Sequence, residues 1–508
     1  MTESSAPSQQ TIDDVLIIGA GPAGLTAAYQ LTKKSRLKIR VLEAHPTHVG
    51  GIARTESHKG FLFDIGGHRF FSKSQEIEEL WREIMPQDFL LRPRISRIYY
   101  QHKFYSYPLR AWQALCNLGL IESTLCMISY VEARLRPIKP ARSFSDWVTN
   151  KFGARLFRIF FKTYTEKIWG MNCDEISADW AAQRIKGLNL SRAVWAGLRK
   201  SLGQKPAGRD GKIIKTLIDN FHYPRRGPGM MWETAAAKIR AKGGTIEMGL
   251  KAVSFTWDNA QNLWLVTAES KDGARRQFRA KQVISSAPLR DAVTAITPVP
   301  ETARQARNLK YRDFLTVAVM LDRPAGFNDN WIYVHDAGVR VGRIQNFAAW
   351  SPDMVPDTNK SCLGLEYFCF EGDGLWSMED HDLIELAKSE LEQLGLARRE
   401  HIVDGCVVRQ PKAYPVYDDA YRDIIASVRE EFARRYPTFH LVGRNGMHKY
   451  DNQDHAMMTA LLTVENILGH RPKYDIWSVN EDAEYHEEKA TYGEARGGLR
   501  DTPERKRT

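Results

Sequence analysis

Near its start the chain alternates between short unbroken apolar runs and a segment of helical period. Val15 to Gly19 is a brief apolar run ending at glycine, the pattern of a strand buried on both faces. Gly21 to Thr32 predicts a helix with small residues on its early turns, and Lys38 to Glu43 predicts the next strand, which completes a βαβ unit. Between about residues 95 and 218 the pattern changes. Trp, Tyr, Leu and Arg recur there at roughly helical spacing with few β-branched runs, so a mostly helical segment is expected. Phe221 to Ala295 returns to mixed α/β character. Glu301 to Arg422 holds alternating apolar strands, such as Leu315 to Met320 and Leu363 to Phe370, which predict an antiparallel sheet. Leu441 to Gly469 ends the ordered pattern with a strand, a loop and a helix.

Composition narrows the class. A chain of 508 residues is too long for one ordinary core, and 43% hydrophobic with 10% aromatic residues supplies ample buried surface. No run of about 18 uncharged apolar residues exists, so no membrane-spanning helix is expected. The first eleven residues are polar, lack the basic and apolar regions of a signal peptide, and are expected to be disordered. The six cysteines, at 116, 126, 173, 362, 369 and 406, form no C-x-x-C pair and no metal-ligand spacing. Reduced thiols in a cytoplasmic protein are expected, and no metal. The net charge of +11 suits an anionic partner, yet the cations are spread along the chain with no recognition motif beside them. A phosphorylated small substrate or anionic lipid is therefore expected, and nucleic acid is not.

The chemistry begins at Gly19-Ala20-Gly21-Pro22-Ala23-Gly24, a G-x-G-x-x-G that leaves a strand and opens a helix. Gly19 permits the tight turn, Gly21 lets the backbone approach a pyrophosphate, and Gly24 allows close helix–strand packing. Glu43 ends the second strand, placed to accept from ribose hydroxyls. Val49-Gly50-Gly51-Ile52-Ala53-Arg54-Thr55 follows closely, and glycines beside an arginine reach further phosphate oxygens. Here the chain resembles the glutathione-reductase-like flavoproteins of the amine oxidase type, whose second motif is G-G-x-x-x-T. Lys251-Ala252-Val253 resembles the strand whose valine backbone meets the adenine, and Val283 to Pro288 the strand that ends beside the flavin. The resemblance implies an α/β FAD-binding Rossmann-like domain of glutathione-reductase type. Its expected pieces are 1–94, 221–300 and 423–480. A helical substrate-cleft domain (95–220) and an antiparallel substrate domain (301–422) would be inserted, with 481–508 as a tail.

Further stretches resemble the UDP-galactopyranose mutases, especially the eukaryotic form. Phe63-Asp64-Ile65-Gly66-Gly67-His68 is similar to their loop carrying a histidine over the flavin. Phe160 to Trp169, with Tyr164, is similar to the helix lining their substrate cleft, although a buried amphipathic helix shows the same spacing. Arg184, in Gln183-Arg184-Ile185-Lys186-Gly187-Leu188-Asn189, resembles an arginine that contacts the substrate diphosphate. Arg343, before Ile344-Gln345-Asn346, falls where a second such arginine lies. Tyr414, in Ala413-Tyr414-Pro415, resembles a tyrosine that donates to the same phosphates. The most specific match runs from Gly443-Arg444 through Tyr450 to Asn452-Gln453-Asp454-His455-Ala456-Met457.

The resemblance implies a catalytic set of His68, Arg184 and Arg343, with Trp169, Tyr164, Tyr414 and Tyr450 on the substrate. Cofactor contacts would come from Gly19, Gly21, Pro22, Ala23, Gly24, Glu43, Gly50, Gly51, Arg54, Val253, Gly443, Arg444, Asp454, Ala456 and Met457. It implies FAD, reduced by NAD(P)H, whose N5 bonds to the anomeric carbon of a nucleotide sugar while its ring opens and recloses. Three departures stand against it: Arg110 in Tyr107-Pro108-Leu109-Arg110 replaces a glutamine, residues 111–140 form a longer helical connection, and no nucleobase-stacking pair is located. The alternative is an oxidase or desaturase of the protoporphyrinogen oxidase kind, acting on an apolar or lipid-linked substrate. Residues 111–140 would then touch a membrane surface, at the inner face if the protein is cytoplasmic; otherwise they form an internal helical hairpin. The oligomeric state stays open.

Overall fold

The computed structural model describes residues 11–107, 109, 111–176, 178, 220–418, 420–469 and 473–480. Arg184, Arg110 and the tail 481–508 lie outside them.

The first apolar run becomes the strand Ile12–Ile18, paired in parallel with Ile39–Leu42 on one side and Arg275–Ser285 on the other. Its interior residues are buried because both faces are covered. The helices Pro22–Lys34, Gly229–Ala241 and Gln453–Ile467 cover one face. The helix Tyr421–Arg435 covers part of the other. Thr245–Glu247 extends the sheet beyond Ile39–Leu42, while Lys251–Asp258 and Leu263–Glu269 add antiparallel strands at the far side. Phe439–Leu441 pairs with the last turn of Arg275–Ser285, so residues from three parts of the chain meet in one eight-stranded sheet. The ladder between Lys251–Asp258 and its partner slips between Ala252 and Ser254. Val253 is thus the extra residue of a bulge, with its backbone outside the regular pairing.

A second, seven-stranded sheet is antiparallel apart from the pairing of Ser96–Tyr100 with Trp331–Val334. Its central strands, Tyr311–Leu321 and Ser361–Cys369, are buried at every residue. They therefore read as continuous apolar runs rather than as half-exposed alternation. Here the structure departs from the helical reading of 95–220. Ser96–Tyr100 and Lys103–Ser106 form a hairpin on this second sheet. Period-2 alternation was masked there by consecutive aromatics, because Tyr99, Tyr100, Phe104 and Tyr105 place rings on both faces. Among the described residues of this segment the helices are Ala111–Leu118, Leu120–Leu135, Phe144–Phe152 and a continuous run from Ala154 to Trp169 that includes a π-helical turn over Arg158–Lys162. Among the described residues no helix is long and apolar enough to cross a membrane.

Candidate active site

The site grows out of three close approaches that only glycine allows. At Gly24 an added Cβ would overlap the Gly19 carbonyl oxygen, which ties the helix tightly to the end of the first strand. Gly19, Gly50 and Gly51 all have positive φ, and a Cβ on Gly51 would sit 3.2 Å from the Gly21 Cα, so the two glycine motifs touch. Pro22 and Ala23 start the helix behind them. Gly443, at φ +72°, brings the late Gly443–Gly446 turn against the same helix: its Cβ would stand 2.8 Å from that of Ala23. Three segments far apart in the chain thereby line one cradle of backbone N–H groups.

Glu43 lies at the rim of this cradle. It accepts from the Ala20 N–H at 2.6 Å and from the His45 N–H at 2.7 Å. Burial raises its pKa, and these N–H groups and the nearby Arg54 guanidinium offset part of the rise. Arg54 is largely spent within the chain, donating to Glu56, the Gly51 carbonyl and Gln410. Its structural work is to hold the second glycine motif. Trp232 Nε1, beside Gly50, and Gln453 Oε1 are buried with no hydrogen-bond partner among the described residues. An orphaned donor beside the glycine-built anion cradle and an orphaned acceptor on the adjoining cavity are what a bound dinucleotide would satisfy, so the residues present fit FAD.

Beyond the cradle the helix Gln453–Ile467 points its N-terminus into a cavity of about 860 Å³. Asn452 and His455 form a reciprocal cap, and Asp454 accepts from Ser72 at 3.0 Å. Ala456 belongs to the same first turns. Met457 does not face the cavity: fully buried, its sulfur receives the Trp81 Nε1–H at 3.1 Å. The opposite wall carries Gly66, Gly67 and His68. His68 Nδ1 lies 3.0 Å from the Gly66 carbonyl, which can only accept. The proton is therefore on Nδ1, and Nε2 offers a lone pair. Burial first, then the Arg444 and Arg343 guanidiniums, push the His68 pKa down to about 3. The imidazole is neutral throughout the physiological range and acts as an acceptor.

Arg343 joins the cavity wall from the second sheet. Glu366, on the adjacent strand and fully buried, takes its Nε–H at 2.6 Å and its Nη2–H at 2.5 Å. Gln345 donates to the other Glu366 oxygen at 2.8 Å. Burial opposes the Arg343 charge, but the Glu366 carboxylate outweighs it and holds the pKa well above its ordinary value. Arg343 Nη2 also lies 3.2 Å from the Tyr414 hydroxyl. Tyr414 and Tyr450 stack at 5.5 Å and 13°, and the Arg444 guanidinium lies over both rings. Arg444 is otherwise used to clasp the Asp451 and Ala413 carbonyls, so its contacts are with the tyrosine pair rather than with the glycine cradle.

Two expected substrate residues stand behind this surface. Trp169 is buried, 6.3 Å from the Tyr450 ring, and Tyr164 stacks on His335 at 4.6 Å and meets Tyr333 edge-on. Neither lines the cavity. Their helical spacing served packing, and the aromatic wall is made instead by Tyr107, Trp331, Tyr333 and Trp350.

Asp64 explains how the histidine loop is anchored. Fully buried, it accepts from Tyr223 at 2.5 Å and from Thr55 at 3.1 Å, while Thr55 accepts from the Gly229 N–H. This welds the last residue of the second glycine motif to the strand before His68. Burial dominates and raises the Asp64 pKa to about 7, against the pull of both hydroxyls. Its folded form binds a proton that the unfolded chain releases above about pH 4, so stability falls as pH rises from about 4 to about 7 and is level above. Asp64→Asn should flatten that part of a Tm-against-pH curve. An unchanged slope would show that Asp64 does not carry it.

A family model for flavin containing amine oxidoreductases matches residues 22–468. The chain belongs to that family. The chain is also 19% identical over 456 residues to coproporphyrinogen III oxidase of Bacillus subtilis (strain 168), covering 84% of this chain and 93% of the relative. Its fold is similar to that of reduced UDP-galactopyranose mutase, with a TM-score of 0.75 at 20% identity over 90% of this chain and 96% of the other. It is also similar to a putative protoporphyrinogen oxidase from Exiguobacterium sp. 255-15, with a TM-score of 0.68 at 17% identity over 91% and 100% of the two chains. The protein is thus a FAD-dependent enzyme of this superfamily with a mixed α/β flavoprotein fold.

Proposed function

We propose that the protein interconverts ring forms of a nucleotide-diphosphate sugar on reduced flavin, in the manner of a UDP-galactopyranose mutase. The observation that carries this reading is the cation excess of the cavity. Arg69, Arg343, Arg422, Arg429, Arg444 and Lys449 line it, against Glu430 and Asp454 in the lining and Glu366 and Asp475 paired with Arg343 and Arg429. An amine substrate would be repelled there, and an anion attracted. We read the first sheet as a glutathione-reductase-type dinucleotide fold, with FAD held by Gly19, Gly21, Gly24, Glu43, Gly50, Gly51, Val253 and the Gln453–Ile467 N-terminus. FAD reduced by NAD(P)H would supply an electron-rich ring nitrogen at the cavity end.

The chain's own residues handle the leaving group and the flavin edge. Tyr414 accepts from Arg343, which turns its own O–H toward the cavity as a donor. Arg343, kept charged by Glu366, holds that hydroxyl in place. Tyr450 stacks alongside under the Arg444 guanidinium. Donors preplaced where diphosphate charge develops stabilise departure more than binding. His68 Nε2 would offer its lone pair to a hydrogen-bond donor of the cofactor without changing charge. Tyr414→Phe should lower kcat about 100-fold with little change in KM. A KM effect alone would assign Tyr414 to binding.

A second reading has its own support. The same cations suit the carboxylates of a porphyrinogen, and the coproporphyrinogen III oxidase relative spans most of the chain. One assay separates the two. Dithionite-reduced holoenzyme should convert UDP- or dTDP-hexopyranoses to a chromatographically distinct isomer without consuming oxygen. Oxygen uptake in step with coproporphyrinogen III oxidation, with no sugar isomer formed, would replace the mutase reading with the oxidase one.

A further inference from the structure

The helix Leu120–Leu135 is amphipathic the wrong way round for a helix that only caps a core. Its buried contacts are made by the small residues Cys126 and Ala133. Its large aliphatic residues point outward: Leu120 is 90% exposed, Ile121 81% and Leu135 77%, and Leu125, Ile128 and Val131 are exposed as well. At helical spacing these six fall within an arc of roughly 140°, opposite Cys126 and Ala133. The acids leave the stripe nearly clear. Glu122 turns aside to pair with Arg155, and within the arc the polar residues are Thr124 and, toward one side, Glu132.

Charge says what the stripe meets. Where the helix ends, Arg134, Arg136, Lys139 and Arg142 are all exposed, and no acid lies between 133 and 145 in the sequence. Ile138, also exposed, continues the apolar surface among them. A second copy of the chain fits poorly. Twofold pairing along the stripe would set each basic end against the apolar first turn of the other helix, with little acid to neutralise it. Anionic lipid headgroups supply both the apolar boundary and the negative charge.

We propose that the helix Leu120–Leu135 and the basic segment after it dock the protein on the surface of an anionic bilayer, with the helix lying in the interface. The segment packs through Phe144–Phe152 onto the cluster that contains Trp169 and Tyr414, so docking would set lipid behind the packing layer that backs Tyr414. The inference rests on exposure and charge and stands whichever chemistry the cavity performs.

Flotation of the flavin-loaded protein with vesicles tests it. Vesicles of phosphatidylcholine mixed with phosphatidylglycerol should retain the protein at least about tenfold better than phosphatidylcholine alone, and high salt should release it. The variant Leu120→Ser/Ile121→Ser/Ile128→Ser should lose retention while keeping its flavin and its thermal stability, since none of these side chains is buried. Arg134→Gln/Arg136→Gln/Lys139→Gln should remove the preference for anionic lipid. Failure of the wild type to float, or flotation unchanged in both variants, overturns the proposal. So does sedimentation analysis showing a dimer that the serine variant alone dissociates, which would assign the stripe to a second copy.

Discussion

Gly24→Ala is expected to yield a colourless protein. The added methyl group would overlap the Gly19 carbonyl oxygen and come within 3.3 Å of the Ile17 side chain. The obstacle is backbone, so no rotamer change relieves it. The helix Pro22–Lys34 must move away from the strand that it caps. Overpacking costs about 1–3 kcal/mol where side chains can yield, and the rigid obstacle puts this case at roughly 3 kcal/mol or more. The same movement spoils the N–H groups of Gly21 and Ala23, which share the cradle with Gly51 and Gly443. At about 1.4 kcal/mol per factor of ten, FAD affinity should fall roughly 100-fold. The ratio of flavin absorbance to protein absorbance after purification measures it, with Gly374→Ala as control, since nothing lies within 4 Å there. A yellow Gly24→Ala protein with the Tm of the parent would mean that the cradle is not the cofactor site.

The cradle was legible in the sequence because its determinants are local. A strand, a glycine turn and a helix start lie within twenty residues, and Gly24 is demanded by the Gly19 carbonyl inside that span, although Gly19 and Gly21 meet Ser286 and Gly51 from outside it. The antiparallel sheet was legible for a similar reason, since long apolar runs such as Leu315 to Met320 have few other uses. The first hairpin of that sheet was not, because its aromatics occupy both faces and obscure the period. Residues such as Trp169 and Tyr164 illustrate a different limit. A cleft-lining helix and a core helix share one period, and only the packing partners, Tyr450 and His335, tell them apart. Asp64 lies within a motif legible in the sequence, but the Tyr223 partner that makes it an anchor comes from a distant segment. Glu366 was overlooked, although a signal for it existed: it is the single charge in Ser361–Cys369, a strand otherwise without one. A lone acid inside a wholly buried strand needs a cation, and Arg343 sits directly opposite it in register.

That pair sets the second large expected effect, Glu366→Leu. The substitution removes the acceptor of two Arg343 N–H groups and of the Gln345 amide, and Gln345 in turn accepts from Trp350 Nε1 at 3.1 Å. Breaking a buried ion pair from one side costs about 3–5 kcal/mol, because the remaining charge keeps its desolvation penalty without its partner. The Arg343 side chain retains 20% exposure, so cavity water relieves part of this and the loss should lie near the lower end, about 3 kcal/mol. The double variant Glu366→Leu/Arg343→Met removes both charges and should recover most of the stability without recovering turnover. That contrast separates the two tasks of the pair. If the cation mattered only to folding, the double variant would be active; if the carboxylate mattered only to chemistry, the single variant would be stable. Denaturant unfolding of both, beside the nucleotide-sugar assay, distinguishes the cases. A Glu366→Leu protein within about 1 kcal/mol of the parent would show that water, not Glu366, solvates Arg343, leaving its charge free for the substrate.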